Sequence, residues 1–161
     1  MKKVQKTNVA RLLDKAKVPY ELIAYEVDEN DLAAQHVADS LGEDIRQVFK
    51  TIVLHGDKTG HLVCVLPGDC EVDLKKAARV SGNKKVEPLP LKELLPTTGY
   101  IRGGCSPIGM KKHFPTFFHQ TALDFPYIYV SAGQRGLQIK LAPQDLIRES
   151  RGTVADLTQE Q

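Results

Sequence analysis

The sequence predicts an α+β domain, a mixed α/β arrangement in which a mixed sheet is flanked by helices. Three observations carry this. The predicted elements run helix, strand, helix, hairpin, helices and then several strands, without the regular β-α-β alternation of a doubly wound fold. The hairpin at 48–66 sets two apolar strands side by side near the middle of the chain. With 161 residues, 42% apolar and 26% charged, the chain suits one globular domain with a substantial core. We expect a single domain over 1–161, its core spanning about 6–150.

The elements follow in order. Val9, Leu12, Leu13 and Ala16 recur at helical spacing, predicting a helix over 7–17 that stops before Pro19. Tyr20 to Val27 alternates as a strand. Asp31 is placed to cap a second helix carrying Leu32, Val37 and Leu41, with Gly42 as its stop. Val48–Leu54 and His61–Leu66 are β-rich runs joined by His55-Gly56-Asp57-Lys58-Thr59-Gly60. Residues 73–81 read as a short basic helix ending at Gly82, and 90–95 as a shorter one between Pro90 and Pro96. A glycine-rich turn follows Tyr100-Ile101-Arg102 through Gly109. Three β-like runs lie near 116–121, 127–131 and 137–141, and Pro143 suits the first turn of a last helix reaching about 150.

Composition excludes several classes. Gly and Pro are scattered, with no repeat or low-complexity tract, which argues against a fibrous or disordered chain. No run approaches the roughly 18 apolar residues of a membrane span. Met1-Lys2-Lys3-Val4-Gln5-Lys6 is basic with no apolar stretch behind it, so no secretion signal is expected and a cytoplasmic location is the default. Cys64, Cys70 and Cys105 are odd in number and lack CxxC spacing, which disfavours a disulfide framework or a thiolate zinc site. The five histidines show no HExxH or other metal spacing, so neither a metal nor a cofactor is expected.

Net charge is +2, but it is unevenly distributed: residues 75–112 carry nine basic and two acidic groups, a local +7, while the rest sums to −5. Lys75, Lys76, Arg79, Lys84, Lys85, Lys111 and Lys112 therefore form a candidate phosphate-binding face. A solvated helix surface plus a basic loop gives the same count.

Lys50 is the most unusual residue. Strand alternation puts Val48, Lys50, Ile52 and Leu54 on one face and Phe49, Thr51 and Val53 on the other. A lysine among aliphatic neighbours is either an edge gatekeeper with a snorkelling stem or the cation of a pocket, meeting a phosphate or a polarised carbonyl. Gly99 to Gly109 holds four glycines in eleven residues. Such a backbone can approach a ligand and aim N–H groups at it, or simply turn tightly; it matches neither Walker A nor dinucleotide-binding spacing. The turn Ser131-Ala132-Gly133-Gln134-Arg135-Gly136 carries the same two readings. Cys105 would need a neighbouring base to be a nucleophile, and nothing places His113 or His119 beside it; a spectator thiol is favoured.

Taken in order, Val48-Phe49-Lys50-Thr51-Ile52-Val53, Asp73-Leu74-Lys75-Lys76-Ala77-Ala78, Lys84-Lys85-Val86-Glu87, Thr98-Gly99-Tyr100, Gly103-Gly104-Cys105-Ser106-Pro107-Ile108-Gly109 and Tyr129-Val130-Ser131-Ala132-Gly133-Gln134-Arg135-Gly136-Leu137 resemble the YbaK family. These are free-standing aminoacyl-tRNA deacylases, similar to the editing domain of bacterial prolyl-tRNA synthetases. The resemblance implies a barrel-like mixed sheet and removal of a wrongly attached amino acid, most of all cysteine from proline tRNA. It puts the key lysine on Lys50 and the catalytic loop backbone on Gly103. Substrate contacts fall on Tyr25, Gly104, Ser106, Pro107, Ser131, Gly133 and Gln138. The implied partners are the aminoacylated acceptor end of tRNA and prolyl-tRNA synthetase. Two departures bear on amino-acid preference: Ala132 replaces a usual glycine, and Gln138 stands where some members carry an acid. The alternative, from another class, is a non-catalytic module that captures tRNA ends or a nucleotide-bearing ligand.

Overall fold

The computed structural model describes residues 6–159; Met1–Gln5, on which the leader reading rests, lie outside them. Helix α1 (Asn8–Lys15) starts where Thr7 Oγ1 accepts from Ala10 N at 3.3 Å. Strand β1 (Glu21–Ala24) follows, shorter than the alternation of 20–27 suggests. Helix α2 (Ala34–Leu41) begins later than expected. Asp31 does not cap it: its carboxylate accepts from Ala33 N at 3.3 Å in a turn ahead of the helix, and Leu32 stays outside. The short side chain satisfies its own loop, two residues on, before it can reach the helix.

Strands β2 (Phe49–Gly56) and β3 (Gly60–Pro67) form the expected hairpin. Asp73 accepts from Lys75 N and Lys76 N to start α3 (Leu74–Ser81), which ends at Gly82. Strand β4 (Val86–Pro88) was not foreseen; three residues ending in proline carry no periodicity. Helix α4 (Leu91–Thr98) runs through Pro96 rather than stopping before it. Proline removes one backbone donor, and the turn is held on either side, by Thr98 Oγ1 donating to Leu94 O and Gly99 N donating to Leu95 O, both at 2.8 Å. Strands β5 (Thr116–His119), β6 (Ile128–Ser131) and β7 (Leu137–Leu141), helix α5 (Pro143–Ser150) and an unforeseen β8 (Thr153–Ala155) complete the order.

The strands form two open sheets, not a closed barrel. One is three-stranded and antiparallel, β1-β7-β6; the other is mixed and five-stranded, β4-β2-β3-β5-β8, with β5 parallel to both β3 and β8. A single bridge, Val48 to Tyr129, joins them. Closure fails because the free edge of β2 pairs with β4 only over Leu54–Gly56, and β6 is reached only by the bridge at Val48, the residue before β2.

Alternation along β2 and β3 divides the core. Phe49, Val53, Val63 and Val65 face a cluster with Val9 and Leu13 of α1, Ile139 of β7 and Leu146 of α5. Leu54, Leu62, Cys64 and Leu66 face Ala77 and Ala78 of α3, with Phe117 and Leu157. Burying each such side chain contributes about 1.5–3 kcal/mol. At the seam, Val37 and Ala38 of α2 pack on Val48 and Tyr129, and the Tyr129 hydroxyl donates to Glu43 Oε1 at 2.7 Å.

Candidate functional site

The incomplete edge of β2 is the origin of the site. Leu89 N donates to Val53 O at 3.1 Å and turns the chain away, so no strand covers Phe49–Val53 on this side beyond the bridge. The start of α2, helix α4 and the 102–105 loop wall the gap instead, enclosing a cavity of about 580 Å³. Lys50, Thr51, Gly103, Cys105, Ser131 and Gln138 all line it. Lys50 and Thr51 point to opposite faces of one strand, and both reach the cavity because it wraps around the edge between them.

Lys50 is half-buried, and its ammonium donates to Gly68 O at 3.3 Å. An ammonium has three donors; among the described residues its recorded partner is this neutral carbonyl, not a carboxylate. Two further polar atoms in the lining are buried and unpartnered: Thr51 Oγ1 and Gln138 Oε1. A buried acceptor without a donor costs about 1–3 kcal/mol, and here two such atoms share one cavity. Ser131 and Gln138 stand directly opposite each other on β6 and β7, so their side chains share a face. The Ser131 hydroxyl accepts from Gly133 N at 3.1 Å.

The glycine loop has two distinct jobs. Gly103 lines the cavity at φ +85°, a conformation that a side chain strains, and an added Cβ would meet Arg135 Nε at 3.3 Å. Gly104 lies behind it: its N–H donates to Ile101 O at 2.9 Å, and a Cβ there would stand 3.0 Å from Gln134 Cα. That close approach fastens the loop to the 132–136 turn, and Arg135 Nε donates to Arg102 O at 2.8 Å across the same contact. Ser106 and Pro107 are buried beneath, with Ser106 Oγ facing Ile108 N at 3.5 Å. Gly133 backs onto Tyr100 and Val9. Tyr25 packs with the α2 seam, its N–H donating to Gly136 O at 3.0 Å. These five therefore surround the lining rather than form it.

Cys105 borders the cavity, but burial pushes its thiol up to about 12, so it stays protonated near neutral pH. No histidine lines this cavity. His113 Nε2 pairs with Ser150 O at 2.9 Å, and His119 Nδ1 accepts from Leu157 N at 3.1 Å. Among the described residues no group of histidines, cysteines and carboxylates could hold a metal, and no helix is long and apolar enough to cross a membrane.

The basic residues of 75–112 spread over three places. Lys75 and Arg79 are exposed on α3, while Lys76 pairs with Asp156 at 2.8 Å. Lys84 and Lys85 sit beside the hairpin tip, where their N–H groups bond Asp57, and Lys85 pairs with Glu87 at 3.0 Å. Lys111 reaches Pro96 O at the end of α4, next to exposed Lys112. Arg102, Leu91 and Leu94, which line the cavity, were not singled out from the sequence: an arginine beside glycines and two leucines in a short helix look like ordinary surface and core.

A second cavity, about 490 Å³, lies across the 67–71 loop and holds Arg46, Lys76, His119, Thr121 and Asp156. Of the sequence-derived site residues it contains Lys76 alone.

A mixed-polarity cavity with two cations, Lys50 and Arg102, one carboxylate, Glu71, two unpartnered oxygens and no histidine suits a compact polar ligand. The comparisons agree. The model of the aminoacyl-tRNA editing domain matches residues 28–149. A relative from Enterococcus faecalis, EbsC, named as a candidate Cys-tRNA(Pro)/Cys-tRNA(Cys) deacylase, is 53% identical over 154 residues, covering 96% of this chain and 94% of its own. A proline-tRNA ligase from Fervidobacterium nodosum is 29% identical over 82 residues, 51% of this chain but 14% of the ligase. A crystal structure described as a candidate trans-editing enzyme for prolyl tRNA synthetase shares the fold, with TM-score 0.80, 22% identity and coverage of 97% of this chain and 100% of that one. This chain belongs to the aminoacyl-tRNA editing domain family.

Proposed function

We propose that this protein is a free-standing deacylase that removes cysteine misattached to proline tRNA, acting in trans alongside prolyl-tRNA synthetase. The observation that carries the reading is the conjunction in one cavity of the Lys50 ammonium with unpartnered Thr51 Oγ1 and Gln138 Oε1. A cysteinyl ester on a terminal ribose supplies the matching groups. Its α-ammonium donates to the two orphaned oxygens, and Lys50 stands away from that like charge, toward a phosphate or the ester oxygen. The match to EbsC supports cysteine as the amino acid, and the matches to a proline-tRNA ligase and a trans-editing structure support the synthetase as partner.

The lining holds no histidine, its one carboxylate is the exposed Glu71, and its own thiol is held neutral; we therefore assign the nucleophile to the substrate rather than to an activated water. The cysteinyl sulfur attacks its own ester carbonyl, forming a C–S bond and an oxyanion. The Gly103 backbone is suited to donate to that oxyanion. Collapse breaks the C–O bond to the ribose, the ribose oxygen takes up the proton the thiol gave, and a thiolactone leaves. The protein's contribution is to hold sulfur and carbonyl in register. A cavity of this size also acts as a sieve, which is needed because one methylene is worth only about 1–3 kcal/mol of discrimination.

The test is release of label from Cys-, Ala- and Pro-tRNA(Pro) by wild type and Lys50→Ala, with the product trapped. Rapid loss from Cys-tRNA as thiolactone, abolished in Lys50→Ala, is expected. Free cysteine as the first product would overturn the substrate-assisted route, and cleavage of none of the three would favour a module that only binds tRNA ends.

A further inference from the structure

We propose that the exposed face of α4 is the seat of the terminal nucleobase of the substrate, so that the protein reads the adenosine as well as the amino acid; this rests on the deacylase reading above. Several elements expose a large aliphatic side chain, but helix α4 carries the two most exposed among the described residues. Leu91 is 59% exposed and Leu95 is 51% exposed. At spacing i, i+4 they share one strip of helix surface, about 6 Å apart along the axis. The strip is continuous with the cavity, because Leu91 also lines it together with Leu94. Ile101, 45% exposed, precedes Arg102, another lining residue.

Charge selects the occupant. Exposed Lys92 lies within α4, Lys111 bonds Pro96 O at its C-terminal end, and Arg102 stands at the cavity. Glu93 is the one carboxylate on the helix. An apolar strip edged by cations fits a group with a flat apolar face joined to phosphate, which is what a nucleotide presents. When the aminoacyl group occupies the cavity, the ribose lies at the mouth, and α4 is a bordering surface that offers an apolar strip for the attached base. Solvent-exposed leucines here are then a binding surface rather than an unburied core.

The experiment compares two esters on the full-length protein, cysteinyl-adenosine and a cysteinyl ester of ribose lacking the base, with wild type, Leu91→Ser/Leu95→Ser and the conservative Leu91→Met/Leu95→Met. Wild type is expected to show a KM about five- to tenfold lower for the base-bearing ester, a gap within reach of the apolar area two leucines offer. The serine pair collapses that ratio toward one, and the methionine pair preserves it. Equal KM values for the two esters in wild type would overturn the proposal while leaving the deacylase reading intact. Preserved discrimination in the serine pair, with weakened binding to purified prolyl-tRNA synthetase, would overturn it in favour of a protein-docking face. Failure of wild type to cleave either ester or Cys-tRNA(Pro) would instead sink the deacylase reading itself.

Discussion

The two halves of β2 make different use of the same secondary structure. Over Leu54–Gly56 the strand is paired on both edges, with β3 and β4, and Leu54 is buried against α3. Over Phe49–Val53 one edge is left uncovered apart from the bridge at Val48, and there Lys50 and Thr51 border a cavity. The paired half has its polar backbone satisfied and its side chains sorted into cores; the open half keeps an ammonium and an orphaned hydroxyl that folding alone does not require. In this fold the site is made by leaving a sheet unfinished.

The contrast can be broken at either half. Lys50→Ala should lower kcat/KM for Cys-tRNA(Pro) on the order of 100- to 1,000-fold, in the range for loss of a group acting on developing charge, with little change in the thermal midpoint. An equal loss of both would make Lys50 structural. In the closed half, Leu62→Ala should cost about 2–5 kcal/mol in denaturant unfolding, while turnover per folded molecule holds.

Replacing the orphaned polar atoms sharpens the comparison further. Thr51→Val and Gln138→Leu each remove a buried acceptor that lacks a donor, so unfolding should be unchanged or shifted up by about 1 kcal/mol, while KM for the substrate rises about tenfold. Loss of stability in both variants would show that those oxygens have structural partners. The smallest effect concerns His119, far from the open edge. Burial lowers its pKa below the ordinary 6.5, so the unfolded chain takes up the proton more readily. The stability this represents is present above pH 6.5 and is lost as pH falls below it. His119→Gln should blunt that acid sensitivity in a thermal melt series from pH 7.5 to pH 5, and an unchanged slope would exclude His119 as its source.

Much of this was legible along the chain. Lys50 stood out because a charge interrupted an aliphatic face, and the glycine run announced close backbone approach at Gly103 and Gly104. What failed had physical causes. Asp31 spent its carboxylate on its own turn, Pro96 sat where a helix could spare one donor, and β4 and β8 are too short to show a period. Thr51 was assigned to the face opposite Lys50, correctly, but was not singled out as a site residue, because a threonine on a strand face carries no such signal of its own.

By itself the sequence determined the helices and the hairpin, the division of apolar residues between two faces of β2 and β3, and the family, because these rest on local periodicity and ordered motifs. Only the tertiary structure decided that the sheets stay open, that Ser131 and Gln138 share a cavity with Lys50, and that Gly104 and Gly133 support the loop rather than touch the cavity. Those facts depend on where distant backbones approach one another, and a gap beside a strand edge leaves no mark on the strand's own residues.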